Sequence, residues 1–398
     1  MKHQTLWSRD FVAVCFSSFF LFITFYILAT TLPIYVVGEL RGATEQIGLV
    51  MTVFIISTVI FRPLTGKWMD ELDRRKVLVV ALIIFMVCSV LYFGVKSMAL
   101  LLLLRFIHGI GFGMATTATG AIAIDLVPEE RKGEGIGYYS LFMSLAMVLG
   151  PFLGLTVMEL ASSLLLFAIC SLFAILAIIC GIMIRVPKRP QMQKQSKKWD
   201  WKSIIEPKAI PISLAGSLLA FSYGAITTFI SVYAKEIGLT QAASYFFVVF
   251  AALIVLSRPF TGRIYDRMGA HTLVYPGILL FTVGMIGLSQ ATTPFFFLLT
   301  GGIIGLGYGA LLPSFQTIAI QAAPSHRRGL ATGTYFMLFD SGYGLGAYLL
   351  GIVAAQTSYH TMYLIAGVVV AFTALVYYTL HHRKTLQKEQ QGSPVSVT

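Results

Sequence analysis

The chain is 398 residues long, enough for two or three soluble domains, yet 57% of it is hydrophobic and only 12% is charged. A water-facing surface normally carries about 25% charge, so a soluble globular fold is excluded and an integral membrane protein is expected. The net charge of +12 raises nucleic acid as a partner, which the placement of the basic residues then excludes.

A helix crosses the hydrocarbon in about 20 residues. Apolar runs of about that length or more fall at 11–37, 46–64, 76–95, 99–126, 133–158 and 162–184. The first run is far longer than a signal-peptide core. A basic stretch, 185–208, follows, with eight Lys and Arg residues, Pro187, Pro190 and Pro207, and Trp199 and Trp201 suited to a headgroup boundary. Apolar runs resume at 210–234, 241–261, 271–291, 294–322, 328–355 and 360–380. The runs lack the ten-residue alternation of barrel strands. The reading is an all-α membrane protein of twelve transmembrane helices in two six-helix bundles. Residues 1–184 form the first bundle, 185–208 a cytoplasmic linker, 209–380 the second bundle, and 381–398 a polar tail expected to be disordered.

Basic residues mark the cytoplasmic side of short loops. With the N-terminus inside, twenty-three of the 29 Lys and Arg residues fall on cytoplasmic segments, and only Arg41, Lys96 and Lys235 fall outside. Both termini are therefore expected in the cytoplasm, and the net charge is a topology signal. Cys15, Cys88, Cys170 and Cys180 sit inside apolar runs without metal-type spacing and read as small apolar packing residues.

The two halves repeat at a constant offset of 196 residues. Arg62-Pro63-Leu64-Thr65-Gly66 matches Arg258-Pro259-Phe260-Thr261-Gly262, and Asp70 matches Asp266. Gly109, Gly111 and Gly113 match Gly305, Gly307 and Gly309; Arg131 matches Arg327; Tyr139 matches Tyr335; Gly150 matches Gly346. Parallel six-helix repeats imply two bundles about an axis along the membrane normal, with a site between them and alternating access by rocking. On these residues the chain resembles the major facilitator superfamily over about 11–380.

The motif between spans 2 and 3 of that family is similar to Gly66-Lys67-Trp68-Met69-Asp70-Glu71-Leu72-Asp73-Arg74-Arg75, with Glu71 and Asp73 departing from the pattern. The second copy keeps Gly262, Asp266 and Arg267. A charged latch on the cytoplasmic face is expected, with an Asp near a helix N-terminus and Arg74 paired to Asp125, against the alternative of a purely topogenic loop. Arg105 in span 4 resembles the second family motif. A buried Arg in a bilayer is costly and is functional by default; the resemblance implies a role beside proton transfer. His108, on the same helix, is a candidate for titration or a satisfied hydrogen-bonding residue. Gly150-Pro151-Phe152-Leu153-Gly154 resembles the Gly-Pro motif of the family's exchangers, where the proline breaks the helix ladder and the glycines allow close approach.

Asp340 lies twelve residues past Arg328, roughly 18 Å along span 11, near the midplane. It is the first candidate for a proton carrier, with a charge pair to an inward Arg as the alternative; Glu39, closing span 1, is the second. Tyr26, Thr30, Tyr223 and Thr227 are candidate lining residues of a substrate cavity, against helix packing. The glycine runs near 109 and 305 sit in apolar helices without a preceding strand, so they are not nucleotide loops.

The expectation is a proton-coupled secondary transporter, an exporter of small amphipathic molecules resembling the drug and metabolite antiporters of the superfamily. A symporter or facilitator importing a nutrient is the alternative, and an enzyme is not expected. The expected partners are a small-molecule substrate, protons and membrane lipids, with no cofactor, metal or nucleic acid. A monomer in the plasma membrane is expected.

Overall fold

The computed structural model describes residues 7–128, 131–186, 205–324 and 327–383. Most of the linker at 185–208 and of the tail at 381–398 lies outside the described residues, as do the side chains of Asp70 and Asp266. Among the described residues there are no strands, and twelve helices are long and apolar enough to cross a membrane. The first six are α1 (Arg9–Gly38), α2 (Thr44–Glu71), α3 (Arg74–Leu91), α4 (Met98–Leu126), α5 (Lys132–Leu160) and α6 (Ser163–Met183). The second six are α7 (Ile210–Glu236), α8 (Thr240–Met268), α9 (Ala270–Ser289), α10 (Pro294–Gln321), α11 (Arg328–Gln356) and α12 (Tyr359–Tyr377).

Hydroxyl caps start many of these helices, because the first N–H groups of a helix have no partner inside it. Ser8 accepts from Phe11 N–H at 3.1 Å. Ser97 and Thr293 cap α4 and α10, and Ser162 and Ser358 cap α6 and α12. Both pairs are separated by the 196-residue offset, so the repeat extends to the helix starts. Gly269 ends α8 at φ +81, a left-handed conformation that costs glycine little.

Two helices overrun their apolar segments. α2 continues through Pro63 and Gly66 to Glu71, seven residues beyond the expected end at 64, and α8 reaches Met268 rather than 261. Hydropathy falls at the edge of the hydrocarbon, but i→i−4 hydrogen bonding continues into water. Gly66 to Asp70 are therefore helical, correcting the expected loop, and only Leu72 and Asp73 connect α2 to α3.

The chain divides into two compact units, Met1–Lys197 with Thr227–Val248, and Lys198–Ile226 with Val249–Thr398. In the first, α1 packs on α5, α6 and α4, while α4 also packs on α2 and α3. Its core contains Phe54, Phe85 and Phe112, with Phe54 and Phe112 at 5.3 Å and Phe85 and Phe112 at 6.3 Å between ring centroids. In the second, α9 packs on α10 and α12, and the repeat partners Phe250, Phe281 and Tyr308 form the same trio, at 5.8 and 6.0 Å. The glycine runs bring the helices close enough to make these contacts. A Cβ at Gly111 would stand 2.8 Å from the Phe85 nitrogen, and one at Gly307 2.6 Å from the Phe281 nitrogen. Small residues at such crossings let membrane helices pack backbone to backbone.

Candidate functional site

The most deeply buried charge among the described residues is on α4 of the first unit. Arg105 is fully buried, and its guanidinium carbon lies 4.0 Å from the centre of the Phe54 ring. Nε donates to the Val50 carbonyl at 3.4 Å, Nη1 to the Tyr92 hydroxyl at 3.4 Å, and Nη2 approaches Met51 Sδ at 3.3 Å. Among the described residues no carboxylate is one of its partners. The alternative of an Arg–Asp340 pair therefore has no support at Arg105; a ring face, a carbonyl, a phenol and a thioether offset the cost of burying the cation.

His108, one helical turn on, is also fully buried. Its Nδ1 lies 3.1 Å from the Tyr92 hydroxyl, its Nε2 3.5 Å from Ser89 Oγ, and Phe85 covers the ring at 4.4 Å. Ser89 Oγ donates to the Phe85 carbonyl at 2.9 Å, and Ser171 on α6 donates to the Ser89 carbonyl at 3.1 Å. The structure thus brings Arg105 and His108 into one polar cluster through Tyr92, which sequence reasoning missed. Tyr92 closes the apolar run of α3 and looks there like a boundary aromatic.

Arg74 opens α3, and its Nη1 pairs with Asp125 Oδ2 at the end of α4, while its Nε donates to the Met69 carbonyl at 3.1 Å. Both residues of this pair belong to the first unit, so it fastens α3 to α4 within that unit. The carboxylate at a helix N-terminus is Asp73, which caps α3 through Arg75 N–H at 2.9 Å; Asp70 falls in the last turn of α2. Arg75 Nη2 donates to the Ile182 carbonyl at 2.9 Å, tying α3 to α6. At the repeat position of Asp125 stands Gln321, which accepts from Tyr265 at 3.4 Å. Asp266 lies within α8 and Arg267 is exposed in its last turn.

Pro151 lies inside α5, and its flanking glycines seat on α1. A Cβ at Gly150 would stand 2.7 Å from Tyr26 Cβ, and one at Gly154 3.0 Å from Thr31 Cγ2. Tyr26 is half-buried, and Thr30 is buried with its hydroxyl on the Tyr26 carbonyl at 3.0 Å. Within the same unit, Ser231 Oγ donates to the Thr30 carbonyl at 2.9 Å. Thr227 is buried, and Tyr223 is buried with its ring stacked on Tyr308 at 4.4 Å. Asp340 is half-buried, the thirteenth residue of the 29-residue α11. Glu39 is exposed just past α1.

Comparison with known proteins gives these groups their setting. The family model for the Major Facilitator Superfamily matches residues 14–339 and 276–397. The chain belongs to the Major Facilitator Superfamily. Curated relatives of this superfamily transporter include the multi-drug resistance efflux pump PmrA of Streptococcus pneumoniae, 24% identical over 97% of this chain and 98% of its own. The quinolone resistance protein NorA of Staphylococcus aureus is 23% identical, covering 96% and 99%, and the staphylopine export protein of the same species is 23% identical, covering 84% and 87%. Among solved structures, a bacterial homologue of the lysosomal transporter Spinster superposes with a TM-score of 0.79 at 15% identity, covering 95% of this chain and 97% of that one. The nucleoside transporter NupG (D323A mutant) superposes with a TM-score of 0.75 at 16% identity, covering 93% and 99%.

This superfamily transporter also holds a buried acid that its charged surroundings in the sequence conceal. Glu206, just before α7, is buried, and its Oε2 lies 2.6 Å from Arg327 Nε. Its backbone N–H donates to Thr334 Oγ1 on α11 at 2.9 Å, and Arg327 Nη2 donates to the Ile205 carbonyl at 3.4 Å. Glu206 sits in a linker rich in charge, so burial is not readable from its neighbours. Its repeat partner is Asp10, whose Oδ1 accepts from Arg185 N–H at 2.9 Å. Acids at equivalent positions thus hold the two ends of the linker, one on each unit.

Proposed function

We propose that the chain is a proton-coupled exporter of small amphipathic molecules, a monomer in the plasma membrane with both termini in the cytoplasm. The observation that carries this reading is a pair of ionisable groups placed where the repeat has none. Asp340 occupies the middle of α11 and its repeat partner is Ser144; Arg105 is buried in α4 and its repeat partner is Gly301. A fold that packs equally well without a charge at those positions keeps them for work other than packing.

Asp340 serves as the proton carrier. Facing outward, it takes a proton from the more acidic side as substrate leaves; facing inward, it releases the proton to the cytoplasm as new substrate binds. Arg105 supplies a fixed positive potential in the first unit, and Glu39, exposed at the end of α1, serves entry from the outer face. The Arg74–Asp125 pair braces the first unit's side of the cytoplasmic gate, to which Gly66, Asp70, Arg75, Asp266 and Arg267 also belong. Gly150, Pro151 and Gly154 shape α5 against the Tyr26 and Thr30 segment of α1, which with Tyr223 and Thr227 borders the substrate path. Export is favoured over import by relatives named for export and efflux, the staphylopine export protein and the pump PmrA, which match over 84% and 97% of this chain. The test is substrate-driven proton flux in proteoliposomes across a compound panel: flux opposite in direction to substrate supports the reading, and flux in the same direction replaces it with a symporter.

A further inference from the structure

The polar cluster of the first unit has no equivalent in the second. At the 196-residue offset, Arg105 becomes Gly301, His108 becomes Ile304, Tyr92 becomes Leu288, Ser89 becomes Met285 and Ser171 becomes Gly367. The surrounding aromatic trio and glycines are repeated, so the packing does not require the polar groups. Five polar residues on α3, α4, α6 and the turn after α3 exist together in one half only.

Their hydrogen bonds run in one direction. Arg105 Nη1 donates to the Tyr92 oxygen, leaving the phenol proton for His108 Nδ1. An imidazole that accepts at Nδ1 carries its proton on Nε2, which faces Ser89 Oγ, and the Ser89 hydroxyl in turn donates to the Phe85 carbonyl. Tyr92, His108 and Ser89 each face an acceptor with the proton they carry in this arrangement. A second proton on His108 would turn Nδ1 into a donor facing the phenol and set a second cation beside Arg105. The other titratable groups around the cluster are Cys88 on α3 and Cys170 on α6, both near the Tyr92 hydroxyl; no acid is among them.

We propose that Tyr92 is a positioning residue for Arg105 and that His108 is its fixed neutral acceptor rather than a proton carrier. Tyr92 holds the guanidinium against the Phe54 ring, and His108 holds Tyr92. The inference rests on the coupled-transport reading and deepens it by assigning the proton to Asp340 alone.

The test uses purified full-length protein in proteoliposomes, with ethidium as the probe substrate, measuring pH-driven transport and equilibrium exchange in parallel. His108→Gln keeps an acceptor and a donor, so its pH profile should match the wild type with rates within about twofold, whereas His108→Leu should fall about tenfold in turnover, as expected for loss of one charge-linked hydrogen bond, with KM unchanged. Tyr92→Phe should fall equally, and Tyr92→Phe combined with His108→Leu should fall no further, because both act through one chain. A His108→Gln variant that loses pH-driven transport but keeps exchange makes His108 the carrier and overturns the proposal. So do wild-type turnover in Tyr92→Phe and additive losses in the double variant. If the wild type itself shows no response to a pH gradient, the coupled-transport reading has failed instead, an outcome distinct from these.

Discussion

At the scale of single residues the account turns on Asp340. A carboxylate in the middle of a membrane helix is costly and is retained where it cycles or pairs. Asp340→Asn preserves shape and most hydrogen bonding but removes the site of protonation. It is expected to abolish pH-driven transport while equilibrium exchange of substrate continues, and Asp340→Glu is expected to retain partial activity with a shifted pH optimum. Loss of both activities in Asp340→Asn would assign the residue to folding or substrate binding; loss of neither would remove it from coupling. Asp340 and Arg105 were legible in the sequence because a charge stands out in an apolar run. Tyr92 was not, since an aromatic at the end of a span has many neutral explanations, and only its contacts with Arg105 and His108 distinguish it. Glu206 was hidden for the opposite reason, as one charge among many in a linker.

Between elements, stability comes from two kinds of contact, each with its own expected outcome. The Glu206–Arg327 pair joins the start of α7 to the start of α11, with Glu206 buried and Arg327 about a third exposed. Removing the carboxylate leaves the partly buried Arg327 cation without its ion pair, so Glu206→Ala should lower the melting temperature in detergent, at a cost of about 1–3 kcal/mol once solvent screening at Arg327 is allowed for. Adding Arg327→Ala should restore part of that loss; a single variant that melts with the wild type would remove the pair from the stability account. The glycine crossings work by steric fit. Gly111→Ala and Gly307→Ala each force a Cβ into a neighbouring backbone nitrogen and should lower the yield of folded protein. Gly66→Ala meets nothing within 4 Å in the interior of α2 and should be neutral or stabilising by about 0.5–1 kcal/mol, the usual helix-interior gain. Thermal unfolding of the three variants side by side checks this, and equal behaviour of all three would contradict it. Span positions were legible from hydropathy, whereas the ends of α2 and α8 were not, because hydropathy reports the bilayer boundary and not the end of the hydrogen-bond ladder.

For the whole molecule, the repeat is the organising fact. One offset of 196 residues relates the helix caps Ser97 and Thr293, the core rings Phe85 and Phe281, and the crossings at Gly111 and Gly307. The offset and its glycine runs were visible in the amino-acid order alone, since duplicated packing leaves duplicated residues, whereas the paired caps and rings emerged only from the structure. The proposed function rests on what is not duplicated: Arg105, His108 and Tyr92 in one half, Asp340 in the other. The proposed substrate class leaves no such mark, because amphipathic molecules are held by apolar and aromatic surface that resembles ordinary packing. The claim that the unduplicated charges couple proton movement to export is tested most directly by measuring proton and substrate flux together in proteoliposomes holding wild-type protein or Asp340→Asn. Opposed fluxes of proton and substrate in the wild type, with substrate exchange but no proton flux in the variant, are predicted. Substrate transport that continues at full rate after both the pH gradient and the membrane potential are collapsed would contradict it.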